Sequence, residues 1–247
     1  MLAPTGNLEI LDIHRQTAFT FDAQGRMIHE SAPNQSPGRR FSFAGCRDGN
    51  LAVVRADVPE PVARELVHLV ASEPPLASPE SEPVHLEEYR DLLQVEAAAV
   101  EHYHGLLWVF PDTLEYQAPT ELVLSGTREG DRLLQGLGDS MPASLIDVGF
   151  RTQEDLWQPW CIAMANGQIA SIAETGRTGA AGAEVGVDTD VHVRGQGFGA
   201  AASAGWSQHP RISQVMRFYS TGRENASSRR LAERLGLRFL GSTFAVQ

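Results

Sequence analysis

Between Glu184 and Trp206 the chain reads EVGVDTDVHVRGQGFGAAASAGW, and the segment Arg194-Gly195-Gln196-Gly197-Phe198-Gly199 at its centre combines residue types that hold anions. A β-prone run enters the glycines and a small-residue helix leaves them. Glycine opposes helix initiation by propensity, so three within five residues answer another need. They let backbone N–H groups approach a ligand closely at the positive end of a helix, where phosphate binds. Arg194 adds a fixed cation that can pair with a second phosphate oxygen. A tight strand-to-helix turn beside an ordinary surface arginine would use the same residues, and the loop alone does not separate the two readings.

The same glycines satisfy the loose dinucleotide fingerprint G-x-G-x-x-G/A. That fingerprint needs a carboxylate for the ribose at the end of the following strand, about 20 residues on. Here the following run, QVMRFYST, ends in Tyr219, Ser220 and Thr221, so the nucleotide reading loses its second anchor. A nucleotide-dependent oxidoreductase is therefore the weakest of the readings that use this loop.

The surrounding elements must position the loop, and their order is legible. WCIAMA and QIASIAET are β-like runs joined by Asn166-Gly167, the pair that best supplies the positive φ angles of a two-residue hairpin turn. AEVGVDT follows as a strand, GFGAAASAGWSQ as a helix and QVMRFYS as a strand. NASSRRLAERLG is a helix capped by Asn225 and closed by Gly236, and LRFLGSTFAV is the last strand. Upstream, ELVLS predicts a strand and GTREGDRLLQGLG a short helix with Leu133, Leu134 and Leu137 inward. Further upstream the pattern predicts strands at Leu51–Val54 and 106–110, and helices over Pro59–Ala71 and His85–Leu93. Residues 1–40 carry little pattern beyond the turn-rich SAPNQSPGRR. Strands alternating with helices imply a mixed α/β protein whose partly parallel sheet is flanked by helices.

Composition bounds the function classes. The 247 residues are 42% hydrophobic and 21% charged, as in a soluble globular protein. A net charge of −11 argues against generic nucleic-acid or anionic-membrane binding, which relies on a basic surface. All 20 basic residues are arginine, which removes Schiff-base chemistry and the P-loop lysine. Cys46 and Cys161 form no CxxC pair, there is no apolar run long enough for a membrane span, and the start carries no leader pattern, so a cytoplasmic setting is expected. His102, His104, Glu101 and the His85/Glu88 pair show no metal-ligand spacing, and no metal is expected. Cys161 is expected as a buried apolar group, and Trp157, Trp160 and Trp206 as core rather than pocket lining.

R-G-Q-G-F-G resembles the R/Q-x-x-G-x-G/A pattern of the GNAT (GCN5-related N-acetyltransferase) family, and FYSTGRENASSRRLAERLGLRFLG resembles that family's next strand, Asn-opened helix and final strand. The likeness runs over about residues 160–247. It implies a GNAT-like acyltransferase unit at 119–247, an α/β partner at 1–118, acetyl-CoA as cosubstrate and a small-molecule amine or amino-terminal group as acceptor. A homodimer is compatible with it. Carried over residue by residue, Val187 and Thr189, with Asp188 between them, fall on the strand that meets the pantetheine arm. Arg194, Gly195, Gln196, Gly197, Phe198 and Gly199 match the pyrophosphate loop, with Gly197 and Gly199 keeping space clear. Asn225 matches the asparagine that reaches the cofactor arm, though a plain helix cap would also place it.

The implied reaction is direct attack of an amine on a thioester, which needs a base, an oxyanion donor and an acid. Glu184 resembles the position of the family's base, with a salt-bridged strand glutamate as the alternative. A backbone N–H near Thr189 to Val191 is the expected oxyanion donor. The family's usual acid, a tyrosine seven residues after the asparagine, is replaced by Ala232. Tyr219 and Ser220 are the nearest substitutes, and alternation points them to opposite faces. The missing acid also leaves open a non-catalytic acyl-CoA-binding or regulatory module.

Overall fold

Asn7–Ala18 forms the first helix, α1, because Ile10, Leu11, His14, Thr17 and Ala18 recur on one buried stripe. The sequence pattern had assigned nothing there: a polar His14 and Thr17 dilute the stripe, and only their packing reveals it. The computed structural model describes residues 6–94, 103–138 and 141–246. Glu101 and His102 lie outside them. After α1 come β1 (Phe19–Phe21) and β2 (Met27–Glu30), a small antiparallel ribbon, then the hairpin β3 (Phe41–Cys46) and β4 (Gly49–Val54). Helices α2 (Glu60–Ser72) and α3 (Leu86–Leu93) precede β5 (Tyr103–Val109). The predicted helices over Pro59–Ala71 and His85–Leu93 and the strand at 106–110 coincide with these elements to within a few residues.

The second half supplies β6 (Leu122–Leu124), α4 (Arg128–Leu137), the single turn α5 (Ala143–Ile146), β7 (Trp160–Ala165), β8 (Gln168–Thr178) and β9 (Gly182–Thr189). It ends with α6 (Phe198–Ser207), β10 (Met216–Gly222), α7 (Ala226–Arg234) and β11 (Arg238–Val246). Asn166 and Gly167 take φ of +51° and +77°, as the turn between β7 and β8 requires.

Nine strands make one mixed sheet in the order β4-β3-β11-β5-β10-β9-β8-β7-β6. Its parallel pair is β9 with β10; the neighbours on either side run antiparallel. The two expected halves share this sheet, because β5 from the first lies between β10 and β11 of the second. Leu106, Trp108, Tyr219, Val185 and Trp206 pack on the face covered by α6 and α7. Leu107, Val109, Phe218 and Leu240 pack under α1 on the other. Leu133, Leu134 and Leu137 of α4 pack with Trp160 and Ile172 on the α1 side, as the pattern predicted. Among the described residues no helix is long and apolar enough to cross a membrane.

Candidate functional site

The pairing of β9 with β10 runs from Gly182↔Met216 to Glu184↔Phe218 and stops, although both strands continue, to Thr189 and Gly222. Beyond Glu184 the two strands part, and the β9 backbone facing β10 loses its sheet partner. The glycine loop and the amino ends of α6 and α7 stand at this opening. They enclose an open cavity of about 670 Å³. Lining it are Val187, Asp188 and Thr189 from β9, Arg194, Gly195 and Gly197 from the loop, Phe198 and Gly199 from α6, and Asn225 from α7. Gln196 is exposed and does not line it.

Helix α6 begins at Gly197 with no side-chain cap, so its first amides have no acceptor within the helix. Residues Gly199–Ser207 are all buried. The helix is thus a buried, uncapped dipole whose positive end opens on the cavity. Gly197 has φ +99° and a Cβ there would stand 2.5 Å from Arg234 Nη1, so the left-handed turn demands glycine. Gly199 lines the cavity and also serves packing. A Cβ on it would meet Thr189 Oγ1 at 3.0 Å and Leu231 Cδ1 at 3.3 Å, so it lets α6 pack closely against β9 and α7.

Three guanidinium groups line the cavity: Arg194, Arg230 and Arg234. Arg194 Nε donates to Thr189 O at 3.2 Å, which fixes the side chain against the end of β9. Arg230 and Arg234 escaped the sequence reading, yet a signal existed: four residues apart on one helix, they share a face. Asn225 Oδ1 accepts from Ser228 N at 3.1 Å, so the helix-cap role is present in the structure.

Glu184 points to the α1 side and is 4% exposed. Its Oε2 lies 2.9 Å from His14 Nε2, its Oε1 accepts from Arg177 Nη1 at 3.2 Å, and Ser220 Oγ donates to the same oxygen. Burial alone would raise this carboxyl, but the Arg177 charge, with His14 and Ser220, outweighs it and holds the group well below the usual carboxylate range. An ionised carboxylate can only accept, so His14 donates. The salt-bridged alternative is the geometry found. A carboxylate held this firmly has little proton affinity and suits a general base poorly.

A second acid, unnoticed in the sequence, has the opposite character. Glu174 on β8 is half-buried, and burial pushes its carboxyl up to about 7, aided by Asp188 and Asp155 and opposed by the Trp157 amide. That amide donates to Glu174 Oε2 at 2.9 Å. Glu174 pairs across the ladder with Gly186, where a Cβ would stand 3.8 Å from Glu174 Oε1. The carboxylate lies against β9, on the Glu184 face, beside the stretch that β10 has left. The β8–β9 register could have indicated it, because the alternation that puts Glu184 on one face puts Gly186 and its partner there too.

Tyr219 and Ser220 do face opposite ways. Tyr219 is buried beside Trp108 on the α6 side, where burial pushes its phenol up to about 12 and a hydrogen bond with Ser228, a cavity residue, partly opposes this. The Asp190 amide is spent on Ala170 O at 3.0 Å, which removes it from the expected oxyanion donors. Cys161 is buried against Gly205 of α6, its thiol pushed up to about 12 by burial. Trp160 and Trp206 are core, the latter donating to Thr175 Oγ1 at 3.0 Å. His104 sits against Phe244 with Glu82 at 3.6 Å, and His85 pairs with Glu88 at 3.3 Å.

No protein-family model and no curated protein matches the chain. Solved structures do. A GCN5-related N-acetyltransferase-like protein from Streptococcus suis is 19% identical, with 64% of this chain and 68% of that chain covered and a TM-score of 0.42. A GCN5-related N-acetyltransferase from Kribbella flavida is 20% identical, with 59% of this chain and 57% of that one covered and a TM-score of 0.40. A GNAT-family acetyltransferase from Colwellia psychrerythraea is 13% identical over 100% of this chain and 98% of its own, with a TM-score of 0.44.

Proposed function

We propose that the chain is an acetyl-CoA-dependent N-acetyltransferase acting on a primary amine. One observation carries the reading: the uncapped, buried α6 opens its positive end, with Arg194, Arg230 and Arg234, on a cavity placed where β9 and β10 part. A diphosphate fits such a cradle because amides and guanidiniums are matched to phosphate oxygens. The unpaired edge of β9 from Val185 to Thr189 would receive an extended amide-bearing arm as an added strand. When bound, acetyl-CoA supplies the activated acyl thioester.

The residues then divide the proton work. Glu174 holds a carboxylate that gains or loses its proton near neutrality, as a base for an ammonium must. Tyr219 keeps its phenolic proton throughout the neutral range and can donate it from the cofactor side. Glu184 is a positioning group that anchors His14, Arg177 and Ser220. Calorimetric titration with CoA, together with free-thiol release from acetyl-CoA over an amine panel, tests the proposal. Saturable CoA binding and amine-dependent thiol release are expected; absence of CoA binding would refute it.

A second reading, a non-catalytic CoA-binding module, is favoured by the mutual bonding of Glu184 and Ser220, two of the expected catalytic side chains. Tight CoA binding without thiol release for any amine would select it.

A further inference from the structure

Beneath α1, on the sheet face that carries Glu184, a second cavity of about 390 Å³ is lined by His14 from the helix, Arg177 from β8 and Ser220 from β10. Ser220 belongs to the stretch of β10 beyond Phe218, where the pairing with β9 has ended. The cavity therefore meets the parting of the strands from the side opposite α6. Its ionisable lining groups are His14, Arg15, Glu30, Arg39, Tyr103 and Arg177.

Most of these groups are already engaged. Arg177 is committed to Glu184 and Glu30 at 3.2 and 3.4 Å, Arg15 gives its Nε to Asp12 at 2.7 Å, and the Arg39 guanidinium lies 5.8 Å over the Tyr103 ring. His14 is differently placed. Its Nε2 donates to Glu184 Oε2 at 2.9 Å, and among the described residues its Nδ1 has no hydrogen-bond partner. A neutral ring with its proton on Nε2 presents a lone pair on Nδ1. Phe218, edge-on at 5.0 Å, and Glu184 fix the orientation of the ring, and Glu184 is itself held by Arg177 and Ser220. A carboxylate behind a histidine sets which nitrogen carries the proton and leaves the other as a base. The charges agree: Glu30 and Glu184 face a single guanidinium, Arg177, so a proton taken up by His14 equalises this cluster.

We propose that His14 is a catalytic base of the transfer, its Nδ1 taking a proton from the acceptor nitrogen. The proposal rests on the acetyltransferase reading. An amine that enters as an ammonium ion must lose two protons before it is an amide, one to become a nucleophile and one as its bond to the acyl carbon forms. Glu174 can take one and is then spent. His14 takes the other: the N–H bond breaks, its electron pair stays on nitrogen and the proton moves to the Nδ1 lone pair. As the carbon–sulfur bond breaks, the departing sulfur takes the proton of Tyr219, so two protons are accepted, one is given, and one per turnover returns to solvent. Glu184 keeps its charge throughout and orients the ring.

The test is kinetic and spectroscopic, on the full chain. His14→Gln can still give an N–H to Glu184 but has no basic nitrogen. Its kcat/KM, for an amine that the wild type acetylates, should fall about 100-fold, the scale of a positioned base, with CoA affinity unchanged. Added imidazole should restore part of the rate, and substituted imidazoles should do so in the order of their basicity. A folded His14→Gln that keeps the wild-type kcat/KM overturns the proposal while leaving acetyl transfer in place, and so does a fall that no imidazole restores, which would assign the residue to structure. Nitrogen NMR of the His14 ring in the wild type needs neither an amine nor a folded variant: the neutral ring should carry its proton on Nε2 with Nδ1 bare, and the reverse tautomer would overturn the proposal. Absence of thiol release by the wild type with every amine refutes the transfer itself, and the base with it.

Discussion

Two glutamates ten residues apart in sequence, Glu174 and Glu184, end in opposite protonation regimes because one is buried without a cation and the other is buried against one. In the proposed reaction Glu174 acts in its deprotonated form. The rate should fall as pH drops below about 7, and Glu174→Gln should remove that acid limb and lower turnover while leaving CoA affinity unchanged, read as a kcat/KM profile against pH. The stability sign is opposite to that of most acids. A folded carboxyl raised from 4.5 to about 7 binds more protons than the unfolded one between those values, so its contribution to stability is lost as pH rises through that window. Glu174→Gln should accordingly melt higher than wild type at pH 8. Glu184 shows the normal sign: its depressed carboxyl stabilises above the unfolded value and loses that contribution as pH falls. Removing it with Glu184→Ala strands Arg177 and His14, and a loss of about 3 kcal/mol in chemical denaturation is expected. Loss of activity in that variant would therefore report structure and not proton transfer. On the other face, Arg234→Ala should weaken CoA binding about 10-fold and flatten its salt dependence, measured by titration at two ionic strengths, because one charge-assisted contact disappears.

At the scale of elements, α1 reaches β9 by a close approach that sequence pattern does not encode. A Cβ on Gly182 would collide with Thr17 and stand 2.9 Å from Phe218 Cε2, so this glycine is where the helix sits down on the sheet. His14, one turn before Thr17, is thereby brought to Glu184, its ring 5.0 Å from that of Phe218. Gly182→Ala should destabilise by about 1–3 kcal/mol through overpacking, and it should lower turnover more than CoA affinity, since α1 packs beside Glu184 through His14 and not at the glycine loop. Thermal denaturation beside CoA titration separates the two effects. Helix α6 shows the complementary device. Gly199 and Gly205 thin the helix where it meets Thr189 and Cys161, so a helix with almost no polar surface seats its amino end at the mouth of the strand gap.

Across the whole molecule, the insertion of β5 between β10 and β11 makes the sheet continuous from β4 to β6. Residues 119–247 alone would leave β10 and β11 without the strand that joins them, exposing unpaired backbone in the middle of a sheet. That fragment, produced by itself, should show no cooperative unfolding transition and no CoA binding, whereas the full chain should unfold in a single transition by circular dichroism. The local elements were legible in the sequence because short-range signals specify them: Asn166-Gly167 for its hairpin, Asn225 and Gly236 for α7, three glycines for the start of α6. The glycine turn that lines the cavity was legible for the same reason, since a helix terminus and its neighbouring strand are contiguous in the chain. Helix α1, the His14–Glu184 pair across 170 residues, the place of β5 and the elevated acid on β8 were not. Each depends on which surfaces meet after folding, and burial and pairing between distant segments set the protonation of the glutamates. The sequence by itself determined the elements and the glycine turn between β9 and α6; tertiary packing alone decided which carboxylate is held low by a buried cation and which is raised by burial.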